Sequence, residues 1–279
     1  MLIPAPDAVA LKHYHLSPTG LRALDFTLMV PIAIIWFTLF YAYAKLYRYS
    51  KLIKSNKDGK AVVKLSQGLL AFAIGLPLSS ILSTTLQLIA RHYTNLVAIT
   101  TIISNYLGVL YPLIAFIFIS IGARGLSEIS KSRPSLRVFN ILVVAIIAIG
   151  VIFCDLIAHA HHSLHHTYHL SYGLVMLTLG IPYMYMWFLG LFAATEIYIY
   201  SRKVAGIVYR QSWNLLAIGL GSFILISIVL EYLSTLSTWL NGLSLPGVLL
   251  LLYVLLLLLA SAFIVIALGT KELMKIEEA

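Results

Sequence analysis

Charged residues are scarce in this sequence. Asp, Glu, Lys and Arg make up only 10% of its 279 residues, whereas 61% are hydrophobic. A typical soluble domain carries roughly 25% charged residues, so a water-soluble fold is excluded. The formal net charge of +9 is then a signal of membrane topology, because Lys and Arg gather in cytoplasmic loops. We therefore predict no nucleic-acid partner.

Features of several other protein classes are also missing. Cys154 is the only cysteine, so no disulfide forms within the chain. The first residues contain no apolar segment after a basic start, so we expect the first membrane span, not a cleavable signal peptide, to direct insertion. The sequence contains no GxSxG motif and no P-loop, which removes the patterns of serine hydrolases and nucleotide-binding enzymes.

Seven apolar runs are long enough to cross a bilayer. A helical span needs about 20 mainly apolar residues, and runs of this length fit helices rather than barrel strands. The sequence therefore predicts an all-α integral membrane protein, a bundle of seven transmembrane helices over residues 26–270, between tails at 1–25 and 271–279. The predicted spans are about 26–46, 66–90, 95–122, 138–160, 173–200, 212–239 and 246–270.

The basic residues predict the orientation of these spans. If the loops after spans one, three and five share a side with the C-terminus, that side holds sixteen of the nineteen Lys and Arg residues. The positive-inside rule then places this side in the cytoplasm. With seven spans, the N-terminus lies outside. The remaining basic residues are Lys12, Arg22 and Arg91.

Four basic residues after span one are spaced three apart, so that they can continue its helix toward the lipid headgroups. They are Lys45, Arg48, Lys51 and Lys54. Clusters of this kind bind anionic lipids at the cytoplasmic face, which is the function we predict for them. A binding surface for an acidic cytoplasmic partner is the alternative.

Few ionisable residues lie within the predicted spans. The three carboxylates are Asp155, Glu196 and Glu231, and we expect Glu196, close to Arg202 and Lys203, to reach the membrane interface. Span seven has no lysine before Lys271, so the Schiff base of a retinal protein has no attachment point. We therefore predict no retinal. The lack of a carboxylate series across the bilayer also argues against a proton pump.

All nine histidines fall on the predicted outer side. Six of them lie in a segment of eleven residues between spans four and five, which we call the His segment. Several pairs are separated by four residues and would share a helix face, and imidazole suits Zn, Cu, Ni and Fe. The sequence therefore predicts a divalent transition-metal site, from His159, His161, His162, His165, His166 and His169 with Asp155, His92 and Glu231.

Three other interpretations of the His segment stay open. Imidazoles charge near pH 6, so the segment could respond to protons. It could also be a solvated loop without a specific role. Finally, His162-Ser-Leu-His165-His166 matches the HxxHH box of membrane desaturases and hydroxylases. Those di-iron enzymes need several such boxes on the cytoplasmic side, whereas this sequence has one box, predicted outside.

A transporter is a further alternative. The sequences around Gly75 and Pro77 in span two, and around Gly180 and Pro182 in span five, would interrupt helices that run in opposite directions. Paired interruptions of this kind mark the binding sites of some transporters, although kinks are also common in membrane helices. The polar residues available at mid-membrane are Ser79, Ser80, Ser83, Asn105 and Thr178.

Two stretches carry a family resemblance. Residues 30–60 and 180–211 resemble segments of uncharacterised multi-pass membrane proteins of small-genome, candidate-phylum bacteria. The resemblance transfers no activity and no site residue, and we expect the protein to lie in the plasma membrane of a bacterium or archaeon.

The leading functional hypothesis is a non-enzymatic sensor-like or accessory subunit with a metal- or proton-responsive outer face. Little chain follows span seven, so we expect any signal to pass to a separate cytoplasmic or membrane partner protein. Association of several copies of this chain is left open.

Overall fold

The computed structural model describes residues 18–53, 57–92, 97–129, 181–204, 206–237 and 245–278. They form six α-helices, and five of these are long and apolar enough to cross a membrane. The chain is therefore an all-α membrane protein. The predicted fourth span lies outside the described residues. The helices are α1 (Pro18–Leu52), α2 (Lys57–His92), α3 (Val97–Ile129), α4 (Ile181–Lys203), α5 (Ile207–Ser237) and α6 (Leu245–Glu278).

Local sequence explains several of the helix ends. Pro246 lies in the first turn of α6, where a proline loses no hydrogen bond because the first N–H groups have no partner within the helix. Gly206, between α4 and α5, has a φ of 96°, a backbone conformation that favours glycine over residues with a side chain. Beyond the apolar run of span one, α1 continues through Lys45 and Arg48 to Leu52, as the spacing of the basic residues predicts.

The six helices form a closed ring. Each described helix packs against the next one along the chain, and α1 packs against α6. Ring closure covers the inner face of every helix, while the outer faces carry large apolar side chains. Phe37 is 66% exposed and Leu225 is 56% exposed. Exposed apolar side chains at this density indicate a surface in contact with lipid tails rather than water.

Close contacts at glycines define the directions of the helices. A Cβ on Gly68 would meet Ile119, and a Cβ on Gly122 would meet Ala61, so α2 and α3 run antiparallel. Two contacts for each pair make α4–α5 and α5–α6 antiparallel, and the short connection from Leu52 to Lys57 makes α1–α2 antiparallel. The contacts between these pairs join Trp36 to Ala73, Gly190 to Ile224, Ser201 to Asn214, Gly219 to Ile266 and Gly269 to Ser212.

The pair α3–α4 differs from the other pairs of helices that are consecutive along the chain, because these two run parallel. Phe116 lies against Gly190, and further along both helices Ser127 lies within hydrogen-bonding reach of Glu196. The end of α3 and the beginning of α4 are therefore at opposite ends of the ring.

These directions give the ring two distinct ends. We call the end that holds Leu52, Lys57, Ile129, Lys203 and Ile207 the basic end, because most of the described Lys and Arg residues lie toward it. The opposite end holds His92, Val97, Ile181, Ser237 and Leu245.

Candidate functional site

The predicted metal site falls largely outside the described residues. This applies to Asp155 and to all six histidines of the His segment. His92 is the last residue of α2, and Glu231 lies in α5 close to the helix end at Ser237. Both backbone positions are thus at or near the opposite end of the ring. Among the residues that the structure describes, no three His, Cys, Asp or Glu side chains are grouped closely enough to hold a metal ion.

Three of the four predicted lipid-contact residues lie on α1 near the basic end. Lys45 places its Nζ 5.7 Å from the centre of the Tyr41 ring, and Lys51 places its Nζ 4.6 Å from the centre of the Tyr47 ring. Arg48 is exposed, and Lys54 lies outside the described residues. Cations paired with tyrosines on an outer surface are typical of the membrane interface, where aromatic residues concentrate.

The residues of the transporter hypothesis are only partly described. The Ser79 hydroxyl donates to the backbone carbonyl of Leu76 at 3.0 Å, so its hydrogen is used within its own helix. Gly75 lets α2 approach α3, because a Cβ there would lie 2.5 Å from Tyr111 Cβ. Pro182 is the second residue of α4, and Ile181 before it is the first residue described after the gap at 130–180. Thr178 and Gly180 lie outside the described residues.

A cavity of about 120 Å³ lies at the centre of the ring. All six described helices contribute to its wall, which is almost entirely apolar. Each helix can be represented by one lining residue: Ile35, Leu76, Tyr111, Met186, Ser227 and Leu259.

Three phenylalanine rings, those of Phe72, Phe223 and Phe263, line one end of this cavity, and Phe116 packs against them. The ring of Phe72 lies 5.1 Å from Phe116, 5.5 Å from Phe223 and 6.3 Å from Phe263, centre to centre. The planes of the paired rings lie at 70° to 87° to each other. This is the edge-to-face arrangement that aromatic quadrupoles favour. We call these residues the Phe cluster. Because Phe72 precedes Leu76 on α2, the cluster lies on the side of the cavity nearer the basic end.

Ser227 is the polar residue that stands out in the cavity wall. Its side chain is fully buried, at 0% exposure, and its Oγ has no hydrogen-bond partner among the described residues. Other buried serines of the ring bond to their own helix; Ser212 on the same helix donates to the carbonyl of Val208 at 2.9 Å. A buried hydroxyl without a partner is costly. Ser227 therefore marks the place where a polar atom of another molecule would be stabilised.

Glu196 is a second buried polar residue, and its position differs from expectation. The sequence suggested that it reaches the membrane interface, but it is only 3% exposed and packs between α3 and α4. Ser127 and Arg124 lie close to its carboxylate, while its Oε2 has no hydrogen-bond partner among the described residues. The prediction that Glu196 reaches the membrane interface is therefore wrong, because its side chain lies on the inward face of α4.

Sequence reasoning missed the cavity completely. The signals that bear on it are phenylalanines at matching depths of α2, α3, α5 and α6 and one serine, Ser227, a turn away from Phe223. Aromatic and serine residues are frequent in all the spans, so these signals do not stand out without coordinates. No protein-family model matches the chain, no curated protein matches it, and no solved structure matches its fold.

Proposed function

We propose that this protein is a non-enzymatic seven-span membrane sensor or accessory subunit. In this proposal the N-terminus is outside and the C-terminus is cytoplasmic. The outer face carries the His segment, which binds a divalent transition metal or responds to protons. The observation that carries the proposal is the parallel pair α3–α4, as the next paragraphs explain.

The parallel pair supports a seventh crossing. The chain leaves α3 at the basic end and enters α4 at the opposite end. One crossing by the connecting residues joins these two points, and the apolar run at 138–160 has the required length. Seven crossings separate the N-terminus from the C-terminus, in agreement with the predicted orientation.

The same geometry supports a common outer face. If the seventh crossing runs toward the opposite end, the His segment follows it there, shortly before Ile181 begins α4. His92 and Glu231 have their backbones toward that end as well. Ligands from three parts of the chain would then meet at one surface, and an ion bound there would link the ends of several helices.

The basic end supports the cytoplasmic assignment and the contact with anionic lipids. Lys45, Arg48 and Lys51 lie on one helix that continues past its apolar run. Lys64 also lies over an aromatic ring, that of Phe118, at 5.3 Å. Basic side chains at such a boundary attract the anionic headgroups of the cytoplasmic leaflet.

The test combines orientation with response. First, His165→Cys in a Cys154→Ser background should react with a membrane-impermeant maleimide added to intact cells. Second, alanine at all six histidines of the His segment should remove bound metal from the purified protein and abolish a growth difference, relative to a deletion strain, under metal limitation or at acidic pH. The control carries His13→Ala and His15→Ala, which remove outer histidines from the N-terminal tail. Unchanged metal content together with unchanged growth in the six-alanine variant would refute the proposal.

The alternatives have weaker support from the described residues. A transporter for ions needs polar groups at mid-membrane, whereas the central cavity is lined almost entirely by apolar side chains. A di-iron hydroxylase remains an outcome of the same metal analysis, because it requires about two irons per chain in active material.

A further inference from the structure

We propose that the central cavity is a binding site for a small, ring-sized apolar molecule that carries one hydroxyl group, with Ser227 as its hydrogen-bonding partner. This site is separate from the His segment. It rests on three properties of the described residues: the volume of the cavity, its apolar wall and the unpartnered hydroxyl within it.

The volume sets the size of the ligand. The cavity measures about 120 Å³, and an apolar cavity of roughly 150 Å³ is enough to bind benzene. A single six-membered ring with small substituents, such as a fluorine and a hydroxyl, is therefore near the upper limit. Ordinary drug-sized ligands need about 300 Å³ or more, so the cavity excludes them in this conformation.

The wall sets the chemical class. Leucine, isoleucine and phenylalanine side chains from four of the helices surround most of the space, including Leu39, Leu256 and Phe263. An apolar cavity stays dry and favours apolar guests over water. A charged ligand is excluded, because no described charged side chain lines the cavity and burying an isolated charge is very costly.

Ser227 adds selectivity to this apolar site. Ser227 belongs to the cavity wall, its side chain is fully buried and its Oγ has no partner among the described residues. A guest hydroxyl can accept a hydrogen bond from Ser227 or donate one to it. Either bond satisfies the Ser227 hydroxyl, which otherwise has no partner among the described residues. A guest of equal size without a polar group leaves the buried Ser227 hydroxyl without a hydrogen bond, which costs free energy. The site therefore prefers a phenol to the matching benzene.

A route into the cavity lies on the side away from the Phe cluster. Leu76 and Ile32, which contribute to this side of the wall, are only partly buried. The rings of Phe72, Phe223 and Phe263 close the side nearer the basic end. We expect the guest to enter from the lipid tails or from the opposite end of the ring.

The experiment measures saturable binding of two probes, para-fluorophenol and fluorobenzene, to the purified full-length protein by fluorine NMR. The wild type should bind both probes and prefer the phenol. Ser227→Ala should weaken phenol binding about five-fold, the usual contribution of one hydrogen bond, and leave fluorobenzene within about two-fold. The serine control is Ser212→Ala, whose hydroxyl already bonds to Val208.

A second pair of variants tests the location. Leu256→Phe fills the cavity from α6, where Leu256 is buried, and should abolish saturable binding of both probes. Its control is Leu257→Phe, which adds the same ring to a lipid-facing neighbour that is 41% exposed. If Leu256→Phe does not fold, Leu76→Phe fills the same space from α2.

Each outcome of these binding experiments tests one part of the proposal. No saturable binding by the wild type, or equal binding by the wild type and a folded filling variant, overturns the site. A phenol preference that survives Ser227→Ala unchanged overturns the role of its hydroxyl. None of these variants touches the His segment, so failure here leaves the metal-responsive function standing, and failure there leaves this site standing.

Discussion

The two halves of the helix ring are packed in different ways. Between the Phe cluster and the basic end, glycines bring helices into direct contact: a Cβ on Gly122 would lie 2.7 Å from the carbonyl oxygen of Ala61, and one on Gly219 would lie 2.9 Å from that of Ala262. On the other side of the cluster lies the cavity. There, a Cβ on Gly108 would meet no described atom within 4 Å, and the close approach at Gly75 is to the side chain of Tyr111 rather than to backbone.

This difference indicates where the stability of the ring originates. Lipid tails are as apolar as the protein interior, so membrane helices associate mainly through van der Waals packing, which small residues improve by letting backbones approach. The glycine-packed half should therefore supply most of the stability. The cavity half is free to accommodate a guest. A substitution that adds a methyl group should therefore lower the stability of the glycine-packed half and should not lower that of the cavity half.

Phe72→Ala removes a ring at the boundary between the two halves and should cause the largest loss in the free energy of unfolding. Phe72 belongs to α2 but its ring contacts residues on α3, α5 and α6. Removal of a buried phenylalanine costs about 3–5 kcal/mol in soluble proteins, including the transfer of the ring from water. Because lipid replaces water as the reference here, we expect the lower limit, a loss of about 3 kcal/mol. Reversible unfolding in mixed detergent and SDS micelles measures it.

The control for this variant is Phe37→Ala, which removes the same ring from the lipid-facing surface of α1. The free energy of unfolding should change by less than about 0.5 kcal/mol, as for surface substitutions in general. A similar loss in both variants would mean that the Phe cluster does not hold the ring together. Phe72→Ala should also enlarge the cavity, so that it accepts a fluorinated naphthol that the wild type excludes.

Gly122→Ala disturbs the packing of the glycine-packed half only. The added methyl group would meet backbone atoms of α2, at 2.7 Å from Ala61 oxygen and 2.8 Å from Leu65 nitrogen, and backbone cannot move aside as a side chain can. Overpacking of this kind costs about 1–3 kcal/mol, so we expect a loss of about 2 kcal/mol in the same unfolding assay. The matched control is Gly221→Ala, where the nearest described atom lies 3.8 Å away; equal losses would contradict the comparison.

The sequence predicts an all-α membrane protein because bilayer thickness dictates the length of each apolar run, and five of the described helices are long and apolar enough to cross a membrane. It could not predict the ring or its cavity. In a soluble helix the polar face identifies the surface, whereas here lipid-facing Leu225 and core-facing Ile224 are equally apolar. Glu196 illustrates the same limit, since its burial between α3 and α4 depends on which face of α4 turns inward.

Ser227→Ala tests the cavity half and should raise stability. The unpartnered hydroxyl is desolvated in the folded ring, whereas in the unfolded state in micelles it finds partners. Its removal should stabilise the protein without ligand by about 1 kcal/mol. Ser212→Ala removes a hydroxyl that is bonded to Val208 and should not stabilise. If Ser227→Ala is as destabilising as a packed-half substitution, the hydroxyl has a partner in solution and the cavity is not its polar environment.

Gly108→Ala should produce the smallest change, again a stabilisation. Gly108 lies within α3, and among the described residues no atom would meet its new methyl group within 4 Å. With no clash, the remaining effect is on the helix itself, where glycine is about 0.5–1 kcal/mol less favourable than alanine. We expect a gain of about 0.5 kcal/mol, measured beside Gly122→Ala, which makes the same chemical change on the same helix. Opposite signs for these two variants would confirm that α3 passes from open space to close packing along its length, whereas equal losses would show that both halves are packed alike.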